Sequence, residues 1–218
     1  MPRSTVLASR PTTAIVAAAA GRSLPTALTR EQARAIVNAA ETTLHRLLLE
    51  TLWQSGGRVS EVLRLRPCDV DRAEAALVLH NLKQRRRALC QKRVYVSPDL
   101  VSALVSLARD QHLKPTAFFF QSQKSRARGG QPMSRQHCWW LIQRYARAAG
   151  VLLPGQDGTL RPATGLHFRH GAAVHQLRAG VPLSEVQQQL GHARIDTTTI
   201  YTKLSNPERR AYADRVNW

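Results

Sequence analysis

Three segments of the sequence carry residue types that could act on a phosphate group. Arg58 directly follows a Gly-Gly break at a predicted helix start, where its side chain can point into a cleft. Arg169 lies two residues after His167 on one helical turn, and such side chains supply several hydrogen-bond donors suited to a phosphate. In the third segment, His192 follows a glycine that ends a predicted helix, and a threonine-rich turn leads to Tyr201.

Each segment also has a simpler interpretation when it is taken alone. Arg58 could be an ordinary surface residue, and the polar residues around Arg169 could form the outer face of an amphipathic helix. Tyr201 could be a half-buried packing residue. The chemical interpretation therefore depends on the three segments occurring together.

The charge of the chain points to a polyanionic partner. Its 218 residues include 32 Lys and Arg against 14 Asp and Glu, which gives a formal net charge of +18. Such an excess destabilises a compact fold by self-repulsion unless a polyanion neutralises it. Nucleic acid is the first partner to consider, ahead of an anionic membrane surface or the ribosome. No apolar run approaches the roughly 18 residues that a membrane span needs, which excludes an integral membrane function.

The cysteines indicate a reducing environment. Cys68, Cys90 and Cys138 are odd in number and far apart, without CxxC spacing. This pattern argues against both a disulfide framework and a structural zinc site. We therefore expect a cytoplasmic protein, in the cytosol or nucleoid of a bacterium, without a bound metal.

Hydrophobic periodicity predicts a mainly α fold with one small antiparallel β-hairpin. Thr29 opens a capping box, and the apolar positions that follow predict one long helix or two joined helices ending at Gly56-Gly57. The segments Ala75–Leu79 and Arg93–Val96 predict the hairpin, whose tip is strongly basic. Further helices are predicted over about 98–110, 134–149, 167–179 and 182–190, with loops at 121–133 and 151–165.

Four motifs in this order resemble the tyrosine recombinase (phage integrase) family. The family's G-R-V-S-E-x-L-x-L box is matched by Gly57–Leu65, and its lysine-bearing hairpin by Leu77–Val96. The family's box that begins with R-H and continues through A, H, L, A, G and V corresponds to Arg169, His170, Ala172 or Ala173, His175, Leu177, Ala179, Gly180 and Val181. Its L-G-H box, with a tyrosine nine residues after the histidine, is matched by Leu190–His192 and Tyr201. The first box alone is weakly specific, whereas the last two at this separation are strongly specific.

The resemblance implies strand transfer through a covalent protein–DNA intermediate. The Tyr201 hydroxyl would attack the scissile phosphate, which gives a 3′-phosphotyrosyl bond and a free 5′-hydroxyl. Arg58 and Arg169 would clamp the non-bridging oxygens, and His192 would hydrogen-bond one of them. Because the phosphotyrosyl bond stores the phosphodiester energy, the resemblance implies no ATP, no metal and no other cofactor.

Two positions of the implied site leave alternatives open. The family's hairpin lysine protonates the leaving 5′-oxygen; Lys83 is our choice for this general acid and Lys92 is the runner-up. The family usually carries His or Lys three residues before the second arginine, but this chain has Leu166 there. His167, one residue later, is the candidate substitute, and a DNA-facing or solvent histidine is the alternative.

The implied partner is double-stranded DNA. A tetramer of two DNA-bound pairs is expected, with a partner recombinase or accessory factor as a possible addition and no membrane contact. Basic hairpin residues are expected to contact phosphates, and residues at the start of the helix near 134 to reach base edges. These expected DNA contacts are Arg85, Arg86, Arg87 and Lys92 in the hairpin, and Arg135 and His137 in the helix.

The chain divides into three parts under this interpretation. Residues 1–27 are expected to form a flexible arm, and residues 28–203 a tyrosine recombinase catalytic domain. Residues 204–218 are expected to form a tail that packs in cis or docks on a neighbouring protomer. Family members commonly have a helical core-binding domain before the catalytic domain, and fewer than 30 residues precede Thr29 here. We therefore expect either a catalytic-domain-only form or an arm and partners that complete the grip on DNA. Trp139 and Trp140 are expected to lie in the core.

Two other functions remain as alternatives, of which the first has the same fold and the second the same chemistry. A DNA-binding accessory protein that no longer cleaves is favoured somewhat by Leu166 and opposed by the presence of Arg58, Arg169, His192 and Tyr201. A type IB topoisomerase would use the same phosphotyrosine chemistry but would act as a monomer without pairing of sites.

Overall fold

The computed structural model describes residues 26–80, 91–122, 130–155 and 157–191. Within these ranges the chain is mainly helical, as the sequence predicts. The helices are α1 (Arg30–Asn38), α2 (Thr43–Ser55), α3 (Val59–Val62), α4 (Pro98–Asp110), α5 (Arg135–Ala148), α6 (Gly165–Arg178) and α7 (Leu183–Leu190). The strands are β1 (Val70–Asp71), β2 (Ala76–His80), β3 (Gln91–Tyr95), β4 (Leu152–Pro154) and β5 (Leu160–Pro162), with a 3-10 turn at Pro67–Asp69.

The first helical stretch consists of two helices rather than one. Thr29 and Gln32 form a reciprocal capping box at the start of α1, and Thr42 caps α2 by accepting from the His45 backbone N–H. Gly56 then ends α2 in the left-handed conformation, with φ of 56°. A side chain at Gly56 would also collide with Leu190, whose Cδ2 lies 2.9 Å from the position of a Cβ. This glycine therefore lets α7 approach the end of α2.

The β2–β3 hairpin forms as predicted and belongs to a three-stranded antiparallel sheet. Strand order is β1-β2-β3, and Leu77 pairs with Val94 in the β2–β3 register. Leu77, Leu79 and Val94 are fully buried, which fixes the register because a one-residue slip would expose them. The hairpin tip at residues 81–90 lies outside the described residues.

The expectation of a single small sheet and of a loop over 151–165 is wrong. Strands β4 and β5 form a second antiparallel pair inside that segment, with Leu153 opposite Arg161. Strands of three residues are too short for alternation to be recognised in a segment rich in Gly and Pro. The pair leads directly into α6.

The core lies where α6 packs on α2. Leu48, Leu52 and Phe168 are completely buried there. Only glycine fits at Gly171 on α6, because a Cβ there would lie 2.6 Å from the carbonyl oxygen of Leu28. None of the helices in the described ranges is both long and apolar enough to cross a bilayer.

Candidate functional site

Arg58 is held at the first turn of α3 by a buried carboxylate. Its backbone N–H donates to Glu61 Oε2 at 3.0 Å, and its guanidinium Nη1 donates to Glu61 Oε1 at 2.7 Å. The two bonds join a capping interaction to an ion pair, so the guanidinium is oriented by the start of the helix. The Arg58 side chain is 28% exposed while that of Glu61 is 1% exposed. The guanidinium of Arg58 is therefore partly exposed to solvent, while the Glu61 carboxylate that holds it is buried.

Lys92 enters the same cluster from β3. Its Nζ lies 3.0 Å from Glu61 Oε2 and donates to the Leu190 carbonyl at 3.2 Å. Burial lowers the pKa of Lys92 to about 8, against the attraction of Glu61 and with added repulsion from Arg169 and Arg58. Lys92 therefore lies inside the cluster, tied to β3, α3 and the end of α7, rather than on the hairpin surface.

Glu61 is the shared counter-ion of this cluster. Burial raises its pKa, but Lys92 and the hydrogen bonds from Arg58 outweigh burial, so the net pKa is below its usual range. The pKa values of Glu61 and Lys92 thus both fall. For Lys92 the main cause is burial, to which repulsion from Arg169 and Arg58 adds, whereas for Glu61 two cationic partners outweigh burial.

Arg169 joins the ends of two helices. It is 6% exposed, and its Nη1 donates to the Gly56 carbonyl at 2.9 Å while Nη2 donates to the Leu190 carbonyl at 2.7 Å. These carbonyls lie at the C-termini of α2 and α7, where the helix dipole is negative. The two contacts fix the guanidinium plane. Because Lys92 donates to the same Leu190 carbonyl, three cations from distant parts of the chain meet around Glu61 and two helix ends.

His167 is fixed at the first turn of α6. Its Nδ1 accepts from the Thr164 backbone N–H at 2.9 Å and lies 3.1 Å from the Thr164 hydroxyl. Because Nδ1 accepts, the neutral ring carries its proton on Nε2. Burial lowers the pKa of His167, which favours this neutral form. The preceding Leu166 is 59% exposed.

Helix α5 presents a basic and aromatic outer face, and the expectation that Trp139 and Trp140 lie in the core is wrong. The two indoles are 46% and 48% exposed, because Cys138, Leu141, Ile142 and Tyr145 already form the buried face of the helix. Trp140 stacks on His137 at 5.9 Å between ring centroids, and the guanidinium of Arg144 lies 5.5 Å from its ring. Arg135 and His137 are exposed on the same helix, as a DNA-facing role requires.

Several residues of the predicted site lie outside the described residues. These are Lys83, Arg85, Arg86, Arg87, His192 and Tyr201. The described part of the chain brings together Arg58, Lys92 and Arg169, whereas the hydrogen bonds of His167 run to Thr164 at the start of α6. No group of three or more His, Cys, Asp or Glu side chains that could hold a metal ion occurs among the described residues.

Glu61 is the residue of this cluster that the sequence analysis did not assign to the site. The signal was present, since Glu61 is the single acidic residue of the Gly57–Leu65 box in a strongly basic chain. A buried carboxylate three residues after an arginine on a helix start is well placed to pair with it.

The fold and the cationic cluster define the class of protein. Among solved structures, the crystal structure of XerA recombinase superposes with a TM-score of 0.70 at 24% identity, covering 91% of this chain and 68% of that one. XerH recombinase bound to palindromic difH substrate gives a TM-score of 0.68 at 20% identity, covering 88% of this chain and 53% of that one. The described domain has the fold of a tyrosine recombinase catalytic domain.

The chain belongs to the phage integrase family, whose model matches residues 26–208. Tyrosine recombinase XerD of Neisseria meningitidis serogroup B is 32% identical over 215 residues, covering 94% of this chain and 68% of the relative. Tyrosine recombinase XerA of Thermococcus kodakarensis is 30% identical over 186 residues, covering 84% and 60% respectively. The chain thus spans about three fifths of the length of the XerA relative.

Proposed function

We propose that this protein is a site-specific DNA recombinase that cleaves and rejoins strands through a 3′-phosphotyrosyl intermediate on Tyr201. The observation that carries the proposal is the convergence of Arg58, Lys92 and Arg169 on Glu61 and the end of α7. Three cations with one carboxylate leave a net positive charge, which favours binding of a DNA phosphate. The relatives named tyrosine recombinases support the same activity.

The two arginines stabilise the charge that develops during cleavage. Negative charge grows on the non-bridging oxygens as phosphorus becomes five-coordinate, and preorganised guanidinium donors lower that barrier without reorganising. The Glu61 and carbonyl contacts supply this preorganisation for Arg58 and Arg169. The Tyr201 hydroxyl, whose ordinary pKa is about 10, loses its proton more readily in the same field. His192 hydrogen-bonds a non-bridging oxygen.

Lys83 donates the proton to the leaving 5′-oxygen, and Lys92 positions the site. The Lys92 ammonium is directed to Glu61 and the Leu190 carbonyl, which is the arrangement of an anchoring residue. A general acid must instead reach the leaving group at hydrogen-bond distance. Lys83 follows the last residue of β2 by three positions in the sequence, and we assign it that role.

His167 takes the place of the group that Leu166 does not supply. Its Nδ1 is occupied by Thr164, so Nε2–H is the donor available to a phosphate oxygen. A neutral donor of this kind stabilises the transition state without adding charge.

The rest of the basic surface grips the duplex. Helix α5 reaches base edges with Arg135 and His137, and the arginines of the hairpin tip contact phosphates. Because much of this affinity comes from counterion release, binding weakens steeply as salt rises. The reaction takes place in the cytoplasm on paired sites held by four protomers.

The tail contributes to assembly by docking on a neighbouring protomer. Residues 204–218 end in Trp218, an aromatic anchor of the kind that fills a partner's pocket. A cavity of about 810 Å³ between α1, α2, α4 and α6 includes Trp53 and His175 in its lining and is large enough to receive such a segment. Removal of residues 204–218 should lower the sedimentation coefficient of the DNA complex, and an unchanged value would contradict this assignment.

Covalent trapping tests the proposed activity. Sites bound in cells are mapped first, and a nicked duplex carrying such a site is then incubated with the protein so that the cleaved end diffuses away. A protein–DNA adduct should form, and Tyr201→Phe should abolish it without weakening binding, whereas Tyr212→Phe should keep it. Specific binding without any adduct supports the non-cleaving accessory protein instead. Relaxation of supercoiled plasmid that lacks the site supports the topoisomerase.

A further inference from the structure

The β4–β5 hairpin exposes an apolar face. In its register Leu152 lies opposite Pro162 and Pro154 opposite Leu160, so these four side chains share one face. Leu160 is 64% exposed and Leu152 43% exposed, whereas Leu153 on the other face is buried. The outer face of the hairpin is therefore a solvent-exposed apolar patch and not part of the core.

Buried Leu153 holds the inner face of this hairpin to the core, whereas the outer face has no cover among the described residues. A two-stranded hairpin alone is marginally stable in water, and an exposed contiguous apolar patch normally marks a contact surface. This hairpin also leads within three residues into α6, the helix that carries Arg169. A segment packed on it would brace the entry to that helix.

The chain's own N-terminal segment is tethered at this place. The Thr26 hydroxyl donates to the Pro154 carbonyl at 3.2 Å, on the hairpin itself. Leu28 is 3% exposed in the core, and Ala27 packs on the apolar cluster of α6 and α7. Thr26, the first described residue, therefore lies beside β4.

The preceding sequence matches the chemistry of the exposed face. Residues 11–21 carry no charge in a chain of net charge +18, and Ala14–Ala20 is a continuous apolar run that includes Ile15 and Val16. The five residues 21–25 span at most about 18 Å when extended, and a three-residue strand is about 10 Å long. The run can therefore reach all four side chains of the face from its tether.

We propose that Ala14–Ala20 docks in cis on the apolar face formed by Leu152, Pro154, Leu160 and Pro162. The segment covers the hairpin and stabilises the backbone that enters α6. An uncharged, apolar segment is a poor ligand for DNA, so the contact belongs to folding of the domain and does not depend on the proposed recombinase activity. A second copy of the chain is the competing occupant.

Hydrogen exchange on the full chain tests this contact. The amides of residues 152–161 should exchange at least about tenfold faster in the double variant Ile15→Asp, Val16→Asp than in the wild type. The matched control Val6→Asp, Leu7→Asp places the same charges outside the apolar run and should leave exchange unchanged. Amides of α2 report that the domain stays folded in every variant.

Two further measurements separate the occupants. In Leu160→Ser, amides of residues 14–20 should exchange faster, because the face that protects them has been made polar. Protection of the hairpin should also stay constant over a tenfold dilution of the protein. Equal exchange in the wild type and the Ile15→Asp, Val16→Asp variant would overturn the proposal, and so would protection that falls on dilution, which indicates a second copy.

Discussion

Lys92→Met should destabilise the domain because it leaves the buried carboxylate of Glu61 with one cation instead of two. Methionine keeps a similar chain length without the charge, so the change isolates the ion pair from packing. The Lys92 charge is the largest influence that lowers the pKa of Glu61, and the variant should raise that pKa. The variant should also loosen the contact between β3 and α7, which runs through the Leu190 carbonyl.

The magnitude follows from the burial of the pair. Removing one partner of a buried ion pair costs about 3–5 kcal/mol, and we expect about 3 kcal/mol because Arg58 still contacts Glu61. The lowered pKa of Lys92 means that burial outweighs its attraction to Glu61. The double variant Glu61→Gln, Lys92→Met buries neither charge. Its free energy of unfolding should therefore fall by about 1–2 kcal/mol, which is less than the fall in Lys92→Met alone.

Urea unfolding at pH 7 measures both variants against the wild type. The Lys92→Met midpoint should fall with an unchanged m-value, and the second substitution should restore part of the loss. The reasoning is refuted if Lys92→Met lies within about 0.5 kcal/mol of the wild type, or if the double variant loses as much stability as Lys92→Met alone.

Three other substitutions probe neighbouring features. In Arg169→Lys, the lysine has no planar guanidinium to donate to the Gly56 and Leu190 carbonyls together. Single-turnover adduct formation should therefore slow by about 100-fold or more while DNA affinity changes little, and equal rates would contradict the proposed role of Arg169. Gly165→Ala would press a methyl group against Val59, which should lower the free energy of unfolding by about 1–3 kcal/mol, with partial recovery on adding Val59→Ala. Burial lowers the pKa of His170 to about 4, so the unfolded chain binds more protons between pH 4 and 6.5 and stability is lost as pH falls through that window. The wild type should lose free energy of unfolding between pH 7 and pH 5, and His170→Gln should reduce that loss by roughly 1 kcal/mol, a figure lowered because His170 is partly exposed. Urea unfolding at both pH values measures the loss, and an equal loss in the variant and the wild type would contradict this origin.

Helix positions and the main hairpin could be predicted because their signals are local. The capping box at Thr29, the glycine after α2 and the alternation around Val94 each act within a few residues of chain. The convergence of Arg58 and Arg169 was expected only through the family resemblance. Local periodicity does not report which helix ends meet in space, and here the meeting depends on carbonyls of Gly56 and Leu190.

The features that were missed depend on tertiary contacts. Trp139 and Trp140 are large and apolar, which favours burial, but four other residues of α5 already fill the core-facing side. The basic hairpin predicts Lys92 as a DNA contact and as the second choice for the general acid, but its side chain is mostly buried. Its burial follows from Glu61, whose position under the hairpin is set by packing of α3 rather than by its neighbours in sequence.

Peptide mapping of the trapped adduct tests the central claim most directly. After nuclease and protease digestion of the covalent complex, mass spectrometry should find a nucleotide on the peptide that contains Tyr201, joined through a 3′-phosphate. A nucleotide on Tyr212, on another residue, or through a 5′-phosphate would contradict the account.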